Sequence, residues 1–142
     1  MIFTDFVGSV DKLEMMARSI VTKRVLVVED EPSISQLCQL VLTSEWLSVD
    51  IAVNGKAAQD MIENRQYDVC LIDIRMPAMN GIELYQWLQE KHPEMEERVA
   101  FTSGDVLGAD TQSFVEKTER PFLAKPFVPG QLSVLIEDLL SW

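Results

Sequence analysis

Five side chains in this sequence have the types and spacing to assemble one reaction site: Glu29, Asp30, Asp73, Thr102 and Lys125. Asp73 ends the apolar run Val69-Cys70-Leu71-Ile72 and leads into Ile74-Arg75-Met76-Pro77. Glu29 and Asp30 follow Val25-Leu26-Val27-Val28 in the same way, and Thr102 follows Val99-Ala100-Phe101. Carboxylates gathered within a few ångströms repel one another and raise one another's pKa unless a cation joins them. Hard oxygen ligands suit Mg²⁺, which binds through one or two carboxylates plus phosphate oxygens and keeps several waters. Lys125 adds a positive charge that can pair with Asp73 at rest and with a phosphoryl group later. Thr102 adds a hydroxyl. A carboxylate nucleophile beside a metal and a lysine is suited to phosphoryl transfer onto that carboxylate.

These residues converge only if the apolar runs are strands of one sheet. Short continuous apolar runs read as strands buried on both faces, so the polar residues at their C-terminal ends meet at one edge of a parallel sheet. In open α/β sheets that edge binds ligands. From Arg24 onward the pattern alternates. Strands are expected at Arg24–Val28, Leu47–Val53, Tyr67–Ile72, Arg98–Phe101 and Phe122–Ala124. Ser33 is placed to cap a first helix with Ile34, Leu37, Cys38 and Val41 on one face. Further helices are expected at Lys56–Asn64, at Ile82–Lys91 (stopped by His92-Pro93), near Ala109–Thr118, and from Pro129 with Leu132, Leu135, Ile136 and Leu139 at helical spacing. Strands alternating with helices imply right-handed βαβ units and an α/β fold with a parallel sheet.

With the motifs in order, the chain resembles the receiver (phosphoacceptor) domain of two-component response regulators. The resemblance covers residues 23–142. It is carried by Val27-Val28-Glu29-Asp30-Glu31-Pro32, by Asp73-Ile74-Arg75-Met76-Pro77-Ala78-Met79-Asn80-Gly81, by Thr102-Ser103-Gly104-Asp105, and by Lys125-Pro126-Phe127. Asp30, Asp73, Thr102 and Lys125 stand 43, 29 and 23 residues apart. It implies a flavodoxin-like, doubly wound five-stranded sheet of order 2-1-3-4-5 with five helices. Carried over by position, Asp73 resembles the residue phosphorylated by a histidine kinase or histidine phosphotransfer protein. Asp30 resembles the direct Mg²⁺ ligand and Glu29 a ligand through water, while the backbone carbonyl of Arg75 completes the set. Thr102 resembles the switch hydroxyl, Lys125 the phosphate-binding lysine, and Phe122 the aromatic switch. A cis Lys125-Pro126 bond is also implied. The output would pass through the face formed by the fourth helix, fifth strand and last helix, to a downstream protein or a second copy. Such a protein is a switch and not an enzyme.

Other readings fit less well. Phosphatases of the haloacid-dehalogenase type place a second Asp two residues after the nucleophile as general acid. Arg75 stands there, and a guanidinium cannot supply a proton. Glu29-Asp30-Glu31-Pro32 occupies the place of the Gly-rich loop of a dinucleotide site. A receiver used only as a scaffold would not need the complete set. Glu29 and Asp30 read singly as helix-start acids, and Phe122 read singly is core. His92 beside Pro93 reads as a solvated surface residue, and Met76 and Met79 as gap-fillers. Arg75 and Gly104, each two residues past a site residue, are expected to set the lifetime of an aspartyl phosphate, in a direction the sequence does not set.

The totals bound the rest. At 142 residues and 47% hydrophobic content the chain fits one domain with a sizeable core. A formal charge of −11 argues against direct nucleic-acid binding, which needs a basic footprint. No signal peptide or membrane span is legible, and Cys38 and Cys70 read as buried free thiols, so a cytoplasmic protein is expected. Residues 1–22 form an extension outside the receiver pattern. There Leu13, Met16, Ala17 and Ile20 suggest an amphipathic helix, read equally as a dimerisation or docking helix or the tail of a signalling coil, and as a helix packed on its own domain or a frayed end. The Phe101–Asp105 and Arg120–Pro126 segments look most like receivers appended to hybrid sensor kinases. A free-standing regulator is the preferred expectation, with the hybrid-kinase module as the alternative.

Overall fold

The computed structural model describes Leu13 and residues 23–141. Met16, Ala17 and Ile20 of the predicted N-terminal helix, and Trp142, lie outside the described residues. The order of elements is β1 (Arg24–Val28), α1 (Pro32–Thr43), β2 (Ser48–Ala52), α2 (Gly55–Asn64), β3 (Val69–Asp73), α3 (Gly81–Lys91), a 3-10 helix (Pro93–Arg98), β4 (Val99–Ser103), α4 (Ala109–Thr118), β5 (Phe122–Ala124) and α5 (Pro129–Leu140).

All five strands are parallel, in the order β2-β1-β3-β4-β5. The doubly wound fold follows from the side-chain period of two along each strand. Val25 and Val27 of β1 and Val69 and Leu71 of β3 point to one face. There they pack with Cys38 and Leu42 of α1 and with Leu132, Ile136 and Leu139 of α5. Leu26, Val28, Cys70, Ile72 and Phe101 point to the other, against Ala58 of α2, Leu84 and Leu88 of α3 and Val115 of α4. Central strands with both faces covered must be apolar throughout, and β1, β3 and β4 are. The chain order reverses between β1 and β3, where an open α/β sheet leaves its crevice.

Local chemistry moves some predicted boundaries. The N-cap of α1 is Glu31 and not Ser33, because Pro32 suits the first helical position. The fully buried residues of α1 are Ser35, Cys38 and Leu42, while the predicted Ile34, Leu37 and Val41 are half-buried beside them. The stripe keeps Cys38 but is turned from Ile34, Leu37 and Val41 towards Ser35 and Leu42. The segment after Pro93 forms a 3-10 helix, so β4 begins at Val99 and not Arg98. His92 is only partly exposed. Its side chain is 21% exposed, lies 3.4 Å from Glu63 and 3.6 Å from Glu94, and its ring sits 5.1 Å from that of Trp87, tilted by 53°.

Candidate functional site

Every site residue enters at a strand end. Glu29 directly follows β1, Asp73 ends β3, Thr102 is the fourth residue of β4 and Lys125 directly follows β5. Asp73 and Thr102 are register partners. The Lys125 amide donates to the carbonyl of Ser103 at 3.0 Å, which continues the β4–β5 ladder by one step. The four residues therefore hang from adjoining strands of the sheet.

The loop after Asp73 is fixed from its far end. Asn80 and Glu83 form a reciprocal capping box at the start of α3. The Gly81 amide donates to the Ile74 carbonyl at 3.0 Å, and the Ile74 amide donates to the Thr102 carbonyl at 2.9 Å. A Cβ on Gly81 would stand 2.5 Å from the Asp73 carbonyl oxygen. Only glycine lets α3 begin so close to the aspartate.

Glu29 and Asp73 are buried, at 1% and 2% exposure, and Asp30 is exposed. One carboxylate oxygen from each of these three lies within 4.8 Å of the others. Three hard oxygens this close could hold a divalent metal ion. Lys125 Nζ lies 2.6 Å from Glu29 Oε1, 3.1 Å from Glu31 Oε1 and 3.3 Å from Asp73 Oδ2. The other oxygen of Asp73, Oδ1, accepts from the Arg75 amide at 3.2 Å. Burial pushes the Glu29 carboxyl up to about 7, the Lys125 ammonium pulls against that shift, and Asp73 adds to it. Burial acts to lower the Lys125 pKa, but the Glu29, Asp73 and Glu31 carboxylates outweigh it and leave the pKa raised.

The Thr102 side chain is buried, and its hydroxyl donates to the Leu123 carbonyl in β5 at 2.6 Å. Phe122 is 39% exposed. It lines a cavity of about 340 Å³ with Asp105, Leu107, Gln112, Val115 and Glu116. Asp105 and Leu107 also line a second cavity of about 590 Å³ that runs past Arg75, Pro77 and Asn80. The Gly104–Gly108 loop thus separates the surroundings of Asp73 from those of Phe122.

The structure brings together all five residues singled out in sequence, and the Lys125-Pro126 peptide is cis. Two contributors were missed. Glu31 reaches Lys125 across 94 residues of chain, and Asp105 lies 3.7 Å from the guanidinium of Arg75. Glu31 had one available signal, its place beside Glu29 and Asp30. Asp105 had none, since its partner is a side chain of another loop.

Comparison with known proteins agrees with this arrangement. A family model described as the response regulator receiver domain matches residues 25–137. The response regulator protein PilR of Pseudomonas aeruginosa is 31% identical over 119 residues, which are 83% of this chain and 26% of PilR. The aerobic respiration control sensor protein ArcB of Escherichia coli is 33% identical over 115 residues, 80% of this chain and 14% of ArcB. The chain thus spans about a quarter or less of these relatives. Among solved structures, a response regulator receiver domain protein (CheY-like) from Methanospirillum hungatei superposes with a TM-score of 0.76 at 27% identity, covering 84% of this chain and 94% of that one.

Proposed function

Because the chain belongs to the response regulator receiver domain family, we propose that it is a phosphoacceptor switch in which Asp73 takes a phosphoryl group from the phosphohistidine of a histidine kinase or histidine phosphotransfer protein. The observation that carries this reading is the placement of a buried Asp73 carboxylate 3.3 Å from the Lys125 ammonium, at the edge of three clustered acids.

An Asp73 carboxylate oxygen forms the new bond to phosphorus. The phosphorus–nitrogen bond of the donor breaks, and its electron pair leaves with the imidazole. The Lys125 ammonium offsets the charge on the transferred oxygens, which in a partly dry site counts for more than in water. The backbone amide of Arg75 holds Asp73 Oδ1, which orients the nucleophile. Glu29, Asp30, Asp73 and the Arg75 carbonyl are the groups that would hold Mg²⁺, whose charge would offset that of the acids and of the donor.

Afterwards the Thr102 hydroxyl exchanges the Leu123 carbonyl for a phosphoryl oxygen. That exchange frees β5 beside Phe122 and biases the α4–β5–α5 face towards a second arrangement. The partner of that face is a downstream protein or a second copy, and a charge of −11 supports a protein partner over nucleic acid. The chemistry modifies Asp73 of the chain itself, so the protein is a switch and not a turnover enzyme. It acts in the cytoplasm, in keeping with two buried free thiols and with no helix among the described residues long and apolar enough to cross a membrane. The 33% identity to ArcB favours a second reading, in which the same domain is the receiver module of a hybrid sensor kinase.

Incubation with Mg²⁺ and acetyl phosphate, followed by intact-mass measurement, tests the central claim. A single phosphate adduct is expected on the wild type and none on Asp73→Asn. Absence of the adduct from both proteins, or its equal presence, overturns the reading.

A further inference from the structure

An ammonium carries three protons, and Lys125 Nζ faces three carboxylates, those of Glu29 at 2.6 Å, Glu31 at 3.1 Å and Asp73 at 3.3 Å. Hydrogen bonds to Glu31 and Asp73 take two of its donors, and the third faces Glu29 Oε1 as an ion pair without hydrogen-bond alignment. Phosphoryl oxygens on Asp73 compete with these acceptors for the ammonium. The Asp73 contact passes to one phosphoryl oxygen as the carboxylate is esterified, so a second phosphoryl oxygen must compete with Glu29 or Glu31. Glu29 is 1% exposed, packed at the end of β1, and also accepts from the Glu31 amide at 3.2 Å. Glu31 differs, because its side chain is 58% exposed and can swing into water.

The local structure gives Glu31 no other task. It is the N-cap residue of α1, where an acid ordinarily turns back onto the first amides of its own helix. Its side chain makes no cap hydrogen bond. The carboxylate reaches away from the helix and over the lysine, so its place is set by Lys125 and not by α1.

We propose that Glu31 is a displaceable counter-ion, a positioning residue that occupies the Lys125 donor needed by the phosphoryl oxygens and so sets how readily Asp73 becomes phosphorylated. The inference rests on the reading of Asp73 as phosphoacceptor. At rest Glu31 covers the ammonium from solvent. When the phosphoryl group arrives, the Lys125–Glu31 contact opens, the lysine turns to the new oxygens, and the like charges of Glu31 and the phosphoryl group drive the carboxylate outward. A lysine that serves more than one phosphoryl oxygen must give up this contact, so the unmodified state is favoured by its strength.

The test uses the full chain as wild type, Glu31→Gln and Glu31→Asp, at fixed Mg²⁺. Beryllium trifluoride serves as the phosphoryl mimic, its binding read by fluorine NMR, and acetyl phosphate half-saturation is read by intact mass. Glu31→Asp keeps the charge near the metal cluster but is too short to hold the ammonium. Both variants are expected to bind the mimic about two- to fivefold more tightly than wild type, the range of a partly exposed ion pair. Mg²⁺ affinity, titrated without fluoride, is expected to be unchanged in Glu31→Asp and equal or weaker in Glu31→Gln. Wild-type affinity for the mimic in both variants overturns the inference and leaves the reading of Asp73 intact. Tighter binding in Glu31→Gln alone also overturns it, because repulsion by charge would then suffice without displacement. A wild type that binds neither the mimic nor a phosphate overturns both.

Discussion

The buried hydroxyl of Thr102 donates at 2.6 Å to the carbonyl of Leu123, which sits between Phe122 and Ala124 in the neighbouring strand. One hydrogen bond thus joins the register partner of Asp73 to the strand that presents the exposed aromatic ring. Replacing the hydroxyl by a methyl group keeps the shape and removes the donor. Thr102→Val is expected to lose about 1 kcal/mol of stability in denaturant unfolding, the net worth of one such bond. It should still accept phosphate from acetyl phosphate, while hydrogen exchange in β5 no longer changes on phosphorylation. Thr102→Ser should behave as wild type in both measurements. Exchange in β5 that still responds in Thr102→Val would remove Thr102 from the relay.

Arg75 and Asp105 face each other across the mouth of the site at 3.7 Å, with side chains 58% and 65% exposed. A pair this open to water adds at most about 1 kcal/mol to folding, so its value lies elsewhere. Asp105→Asn frees the guanidinium to lie over the phosphoryl oxygens, and Arg75→Ala removes it. The half-life of phospho-Asp73 is expected to lengthen about two- to fivefold in the first variant and to shorten by a similar factor in the second, with melting temperatures unchanged. Loss of phosphate after removal of acetyl phosphate, followed by intact mass, measures both. Equal lifetimes in all three proteins would refute a role for the pair.

Burial raises Glu29 from the ordinary 4.5 to about 7. Between those values the folded protein keeps a proton that the unfolded chain has released. The contribution of this group to stability is present below about pH 4.5 and is lost as pH rises through about 7. Without Mg²⁺, the melting temperature of the wild type should fall across that window relative to Glu29→Gln, whose amide does not titrate. Mg²⁺ requires the carboxylate, so its binding should strengthen as pH rises through about 7 and release a proton below that point. Parallel melting curves for the two proteins across the window would count against the raised value.

Gly81 and Gly104 both lie beside the site yet differ in what a methyl group would meet. At Gly81 a Cβ would come within 2.5 Å of the Asp73 carbonyl oxygen and 2.9 Å of Ile74 Cα, both main-chain atoms. At Gly104 the nearest atoms are the Cβ and Cδ of Lys125, at an ordinary 3.6 Å. Gly81→Ala should therefore cost about 1–3 kcal/mol or more in unfolding, in the range of overpacked sites. It should also slow phosphorylation, because the clash pushes on the residue that carries the nucleophile. Gly104→Ala should unfold like wild type. A stable and fully active Gly81→Ala would contradict the geometry.

The parts of the site that sequence made plain are those the strands dictate. A run such as Val69–Ile72 has no polar alternative inside the sheet, so the acid after it must emerge at the edge. The same holds for Glu29 after Val28 and for Thr102 after Phe101. Asn80 and Glu83 likewise announce the start of α3 through a local hydrogen-bond exchange. Less legible were features decided by partners distant in sequence. Glu31 looks like one more helix-start acid until Lys125 arrives from the far side of the fold. Asp105 looks like a loop residue until Arg75 lies opposite. The orientation of α1 towards Leu42 is fixed by its packing with α5, for which periodicity alone offers no measure. His92 is drawn in by Trp87 and two glutamates, and its place beside Pro93 gave no sign of that.

The ladder that places Glu29, Asp73, Thr102 and Lys125 also makes the chemistry an all-or-none property of the chain. No two of the four lie on one element, and Lys125 joins only after the fifth strand has docked on the fourth. A nascent or partly unfolded chain therefore carries these groups as scattered, ordinary side chains, with neither a gathered acidic cluster nor a lysine beside the aspartate. On the proposed reading such a chain would be silent to a phosphodonor, and only a completed sheet would be charged. Acquisition of the phosphate label would then report conformational integrity, and a kinase meeting a mixed population would spend its phosphoryl groups on the intact molecules alone.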